Sequence, residues 1–287
     1  MSTLVAHVEL TKPRITALVV FTTAAGLWLA PARPSLPVVL LTFVGTAMVV
    51  AAANVLNMYL ERDTDALMPR TMHRPLPAGR MDPRQALRFG LALASVSVPL
   101  LSFGSGAIPG LLAAIALVSY VLIYTPMKRR TAASLLVGAV AGAMPPLIGW
   151  TAATGRFDLP GVLLFAVLFL WQVPHFLAIT ILRGREYARA GLIVQTNEPA
   201  GERAARRNIV LYTVALIAVS LMFIPLGVGG TVYLVAAIGS GALFLALGVR
   251  GLRPEASARW ARNEFLGSLA YLTVLLAVLL IDRPHPL

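Results

Sequence analysis

The sequence predicts an all-α integral membrane protein, a bundle of nine transmembrane helices, and three observations lead there. The chain of 287 residues is 58% hydrophobic and only 13% charged, about half the charge usual in soluble domains; its mean hydropathy is +0.79. Its apolar residues gather in runs of roughly 20, the length at which a helix crosses a bilayer. Those runs do not alternate apolar with polar positions, as barrel strands do. In lipid a segment must satisfy its own backbone hydrogen bonds, which leaves helices. No soluble domain interrupts the runs, and residues 1–287 read as a single intramembrane domain.

Taken in order, the N-terminal "MSTLVAHVELTKPR" is too polar for a secretory leader. The first span is expected at 14–31 and the second at 36–58, where "LPVVLLTFVGTAMVVAAANVL" carries no charge. A polar stretch, 61–84, precedes the third span at 85–103. The Gly-containing 104–106 turns tightly into the fourth, 107–125. The fifth is expected at 133–153 and the sixth at 159–182, followed by a second long polar stretch, 183–207. The last three fall at 208–226, 230–249 and 263–281, with a short Gly-rich turn between the first two of them.

Charge fixes the expected orientation. The chain holds 24 Lys and Arg against 12 Asp and Glu, a formal net charge of +12, and its pI is about 11.1. Such an excess could suggest nucleic acid. With the N-terminus in the cytoplasm, however, all the basic residues except Arg33, Arg156 and Arg283 fall on the cytoplasmic side. That asymmetry follows the positive-inside rule, so the excess reads as topology and no nucleic-acid partner is expected. The placement expected is a cell (inner) membrane crossed many times. There is no cysteine, which excludes a disulfide framework, a thiolate metal site and a thiolate nucleophile.

Three of the scarce acids, Glu61, Asp63 and Asp65, crowd the cytoplasmic end of the second span. Asn57, Glu61 and Asp65 stand at i, i+4 and i+8, so a helix that continues stacks them on one face, while Asp63 points elsewhere. A carboxamide oxygen and two carboxylates are hard ligands suited to Mg²⁺, which keeps waters and binds substrate phosphates. Carboxylates one turn apart repel, and a metal ion would relieve that. A polar helix end paired with Arg62 or Arg70 explains any one of these acids, but not a stripe of three ligands. Arg70, Arg74 and Arg80 follow in one loop, and guanidinium forks fit phosphate oxygens. Acids followed at once by arginines point to a metal-bridged diphosphate site. A cation transporter, the rival from another class, would place its charges near the midplane on broken helices.

The N-x-x-x-(D/E)-x-x-x-D stripe on the second of nine helices resembles the first acidic motif of the UbiA superfamily of intramembrane prenyltransferases. "LTKPRIT" at 10–16, "YTPMKRRT" at 124–131, "GAMPPLIGW" at 142–150, "WQVPHF" at 171–176, "EYARAG" at 186–191 and "NEFLGSLAYL" at 263–272 resemble its protohaem IX farnesyltransferase branch. The likeness covers nearly the whole chain. It implies a UbiA-like fold and Mg²⁺ as cofactor. The implied substrates are farnesyl diphosphate and haem b, joined at a haem vinyl group to give haem O. Asn57, Glu61 and Asp65 would hold the metal; Arg70, Arg74, Lys128, Lys12 and Arg14 would contact the diphosphate. His175 in "WQVPHF" and Tyr124 would belong to the haem site, His175 either on iron or as a base; His73 is a lesser candidate for a haem propionate. Haem A synthase or a haem-copper oxidase would be partners downstream. Against the acidic stripe alone, another acceptor such as an aromatic acid remains open.

The sequence departs from that family's pattern. Glu61 stands where Asp is common and Ser134 where Asn is usual. "LIVQTNE" lacks the usual Pro-Met-Leu-Pro, and the second acidic motif, usually Asp-Asp-Tyr, reads Arg185-Glu186-Tyr187. Glu186 is expected to be the remaining metal ligand there, with Arg185 on phosphate.

Overall fold

A computed structural model of the chain describes residues 3–282, so Arg283 lies outside the described residues. Among the described residues the regular structure is helical throughout, with no strand. The elements are α1 (Thr3–Leu10), α2 (Pro13–Leu29), α3 (Leu36–Asp65) and α4 (Pro83–Gly104), then α5 (Ala107–Met127) and α6 (Ser134–Thr154). After them come α7 (Leu159–Arg189), α8 (Gly201–Leu221), α9 (Thr231–Arg250) and α10 (Ala258–Ile281). Eight of these are long and apolar enough to cross a membrane, and α2 is a shorter apolar helix. Together they are the nine expected spans, and the chain is a multi-pass membrane protein.

The boundaries differ where charge begins. α3 runs to Asp65 rather than stopping at 58, and α7 runs to Arg189 rather than 182. α8 and α10 start earlier than expected, at Gly201 and Ala258. A hydropathy window stops at the first charges, but a helix continues into water as long as its own ladder is intact. α1 was not expected, because eight mixed residues make too short a pattern.

The helices divide into two compact units. The first takes in α1 to α6 with Arg189–Leu192. Here α2 and α6 touch backbone to backbone: a methyl group at Gly26 would collide with the Pro146 carbonyl, and one at Gly149 with that of Thr23. Small residues are how membrane helices gain such contact. Ala6 and Leu10 of α1 pack with Val55 and Met58 of α3 and with Leu76, Met81 and Ala86 beyond it. The corner between α1 and α2 is left-handed at Lys12 (φ 49°, ψ 66°). That conformation is uncommon outside glycine, and it is held by Ile15 and Thr16 N–H donating to the Lys12 carbonyl and by Asn54 Nδ2 donating to that of Thr11 (3.3 Å). Within α5, Ser119–Tyr124 forms a π-helical turn, one extra residue in the helix of the kind that clusters at functional sites.

The second unit holds α7 to Ala188 and α8 to α10. Pro174 sits inside α7 without ending it, as packed neighbours allow in membranes. Tyr233 of α9 and Tyr271 of α10 both reach Ser220 of α8, donating to its carbonyl (2.8 Å) and its hydroxyl (3.3 Å), so three helices meet on one serine.

Candidate active site

In the first unit the continuing α3 does stack the stripe: Asn57, Glu61 and Asp65 are all buried, at 2%, 9% and 2% exposure. The Asp63 side chain is 79% exposed and pairs loosely with Arg62 at 3.7 Å. Each buried acid already faces a cation. Lys128 Nζ lies 2.8 Å and 3.1 Å from the two Glu61 oxygens and 4.5 Å from the centre of the Tyr124 ring. Arg74 donates to Asp65 Oδ2 at 2.7 Å. Asn57 Nδ2 donates to Thr125 Oγ1 at 3.0 Å, and that hydroxyl in turn donates to the Tyr120 carbonyl at 2.8 Å. The hydroxyl hydrogen being committed, its oxygen can only accept from Asn57, which fixes the carboxamide with Oδ1 turned away from Thr125.

The loop after α3 closes over this end of the unit. Thr71 Oγ1 donates to the Asp65 carbonyl at 2.8 Å. Arg80 forks onto Glu9 of α1 at 2.7 Å and 3.2 Å and donates to the His73 carbonyl at 2.8 Å. Glu9 is thereby held below the usual carboxylate range, by the hydrogen bond first. Beneath lies a cavity of about 310 Å³ walled by Lys12, Arg70, His73 and Arg74 with Glu9 and Met58. Arg14, exposed on α2, is not part of the wall. Burial, followed by the charges of Arg74 and Lys128, pushes Lys12 down to about 7. Burial would lower Lys128 as well, but the facing Tyr124 and Glu61 overcome it and hold Lys128 above the lysine range.

In the second unit His175 is half-buried on α7. Its Nδ1 lies 2.8 Å from Ser268 Oγ, whose hydrogen is donated to the Phe265 carbonyl at 2.6 Å. Ser268 can therefore only accept, so Nδ1 carries the imidazole proton and Nε2 keeps a free lone pair. Trp171 stacks on the imidazole at 4.7 Å and bonds through Nε1 to the Ser268 carbonyl (2.6 Å); Phe265 lies at 4.8 Å. Further along α7, Glu186 is half-buried with Arg183 at 3.2 Å, and Arg185 is exposed. Tyr124 belongs to the first unit, beside Lys128.

The residues of the stripe fit a divalent cation. Among the described residues no three His, Asp or Glu side chains meet as a metal group. The stripe instead offers two carboxylates and an amide oxygen on one buried face, the hard oxygen set with which Mg²⁺ shares its shell with water and substrate phosphate. Sequence reasoning missed the residues that orient the candidate side chains, Thr125 for Asn57 and Ser268 for His175. Thr125 and Ser268 lie inside stretches that were singled out, "YTPMKRRT" and "NEFLGSLAYL", yet nothing in their spacing showed the partner each would hold. Glu9 carried no signal apart from being an acid in a chain with few.

Residues 19–269 match the UbiA prenyltransferase family. The chain belongs to that family. Its curated relatives include the protoheme IX farnesyltransferases of Sorangium cellulosum, 54% identical over 84% of this chain and 86% of that one, and of Anaeromyxobacter dehalogenans, 49% identical over 96% and 93%. The Myxococcus xanthus protein of the same name is 49% identical over 96% of this chain and 94% of its own. Among solved structures, a digeranylgeranylglyceryl phosphate synthase shares the fold with a TM-score of 0.85 at 18% identity, over 98% of this chain and 99% of the other. An Archaeoglobus fulgidus UbiA homologue bound to geranyl diphosphate (GPP) and Mg²⁺ does so at 0.64 and 15%, over 96% and 99%. The UbiA fold expected from the acidic stripe is thus the one found.

Proposed function

We propose that this UbiA protein transfers a farnesyl group from farnesyl diphosphate to a vinyl group of haem b, giving haem O. The observation that carries the reading is the buried stripe with Lys128 and Arg74 on its acids, beside a cavity walled by Lys12, Arg70 and Arg74. The names of the close relatives supply the acceptor.

The chemistry follows from charge. Breaking the allylic C–O bond leaves the electron pair on the diphosphate, and preorganised cations at the leaving oxygens stabilise that charge as it develops. Lys12, Arg70, Arg74 and Lys128 are the groups that would take the phosphate oxygens. Asn57, Glu61 and Asp65, with Glu186 from the altered second motif, would hold Mg²⁺; when bound, the ion supplies Lewis-acid neutralisation of the diphosphate. Arg185 adds a guanidinium where the family has an acid. The allylic cation then bonds to the terminal vinyl carbon, water adds to the cation left beside the ring, and a proton is released. Apolar side chains keep other water away from the allylic cation. His175, its Nδ1 fixed by Ser268, would either ligate haem iron through Nε2 or accept that proton, and Tyr124 would be the second residue at the acceptor. In the cell the site would open to the cytoplasm in the inner membrane, handing haem O to a haem A synthase or a haem-copper oxidase.

The test incubates the purified protein with haem b, farnesyl diphosphate and Mg²⁺ and weighs the haem by mass spectrometry. A gain of one farnesyl group plus one hydroxyl is expected. Unchanged haem, with prenylation of an aromatic acid under the same conditions, would move the chain to another acceptor.

A further inference from the structure

The second unit contains a basic cavity that the transfer reaction does not use. It has a volume of about 380 Å³, within the range of small-molecule sites, and lies where α9 ends and α10 begins, with Arg250, Arg253 and Arg259 in its wall. The connection that forms its rim is fixed. Arg206 of α8 donates to the carbonyls of Gly251 (3.0 Å), Arg253 (3.2 Å) and Ala256 (2.8 Å), and lies 5.4 Å from the centre of the Trp260 ring. Trp260 Nε1 donates to the Leu247 carbonyl at 2.7 Å, and the backbone at Gly251 rests so closely on its indole that a methyl group there would collide with the ring.

The charges at this end of the unit are unequal in their partners. Arg206 is neutralised by Glu202 at 2.6 Å. Arg250, Arg253 and Arg259 are exposed and form no ion pair among the described residues, and Glu255 is the one carboxylate in the wall with them. Three guanidiniums around one cavity against a single carboxylate repel one another, and an anion relieves the repulsion. The positive-inside rule explains cations on this side of a membrane. It does not require the loop to be clamped, or three cations to wall one void. The guanidinium fork selects phosphate oxygens over a simple halide. Val249 and Leu252, at 48% and 51% exposure, flank the rim with apolar surface.

We infer that Arg250, Arg253 and Arg259 form a binding site for a phosphate group, separate from the prenyl diphosphate site and supplied either by an anionic phospholipid headgroup or by free phosphate.

The test uses the full chain in detergent, with retention of added phosphatidylglycerol measured by native mass spectrometry against phosphatidylcholine, with and without millimolar inorganic phosphate. Replacing all three arginines by Lys keeps the charge and loses the fork, and should lower retention about tenfold or more. The pair Arg203→Gln and Arg207→Gln, exposed on α8 and outside the cavity wall, should leave it unchanged. Selective retention of phosphatidylglycerol that inorganic phosphate leaves intact identifies the lipid. Competition by inorganic phosphate, with no preference between the two lipids, identifies the free anion. Full retention in the triple Lys variant, or equal loss in the α8 pair, would reduce the cavity to nonspecific surface charge and overturn the inference.

Discussion

Lys12 combines an unfavourable backbone with an unfavourable charge, and both have consequences that can be measured. Its ordinary value of 10.5 falls to about 7 in the folded chain. Between those values the unfolded chain binds the extra proton, so this lysine costs stability below pH 7 and the cost fades as pH rises towards 10.5. Diphosphate reverses the preference, since it favours the charged amine. Binding of farnesyl diphosphate should therefore take up a proton above pH 7 and weaken from pH 7 to 9. Calorimetry in buffers of different ionisation enthalpy reads the uptake, and Lys12→Arg should abolish it. Asp65 and Asp63 make a second contrast. Asp65→Asn removes a buried charge paired with Arg74 and should lower farnesyl transfer about a hundredfold or more, at a stability cost of about 2 kcal/mol. Asp63→Asn, on an exposed side chain, should stay within about twofold; equal losses would break the stripe argument. Glu186→Gln should also lower turnover severely, whereas Arg185→Ala should mainly raise KM for farnesyl diphosphate. Full activity in Glu186→Gln would remove that residue from the site.

Paired helices show what the sequence could and could not reveal. The continuation of α3 to Asp65 was readable, because the spacing of Asn57, Glu61 and Asp65 has meaning only on a helix. The pairing of His175 with Ser268 was not. The two stand 93 residues apart, and neither apolar periodicity nor charge marks a serine that accepts from an imidazole. The same holds for Thr125 beneath Asn57, a contact between α3 and α5, and for the left-handed corner at Lys12, which joins α1 to α2. The α7–α10 pairing is testable through its tautomer. Ser268→Ala frees Nδ1, and should slow transfer to haem b about tenfold if His175 serves the acceptor, the scale on which an imidazole metal ligand loses function with its orienting partner. KM for farnesyl diphosphate should not move, and Ser268→Thr should restore the rate. An unchanged rate in Ser268→Ala would leave Ser268 a packing residue only.

For the chain as a whole, the nine apolar runs were legible because bilayer thickness imposes one length on all of them. Their division into two compact units was not, since it depends on which faces pack. Orientation rests on charge, and the absence of cysteine makes it directly measurable. In intact cells or sealed vesicles, Arg156→Cys should react with an impermeant maleimide from outside, and Arg70→Cys only after the membrane is opened on the cytoplasmic side. Labelling of Arg156→Cys from the cytoplasm alone would invert the topology.

The π-helical turn at Ser119–Tyr124 sets the phase of everything that follows it in α5. Each residue of an α-helix advances the chain by about 100° and about 1.5 Å, so a residue added to an unbroken helix would rotate all that follows, whereas a π-helical turn takes up one such residue within itself. Thr125 and Lys128, which meet Asn57 and Glu61, stand immediately beyond that turn, so their approach depends on the phase it leaves. Removing a single residue from 119–124 would let the turn close into plain α-helix and leave Lys128 facing its carboxylate. Removing one from the α-helical part, 107–118, would leave a helix that still spans the bilayer yet turn Lys128 away. Insertions and deletions in this span thus fall into two classes, judged by angle and not by length: those that preserve the phase of the inner end are silent, and those that change it disconnect α5 from the chemistry on α3.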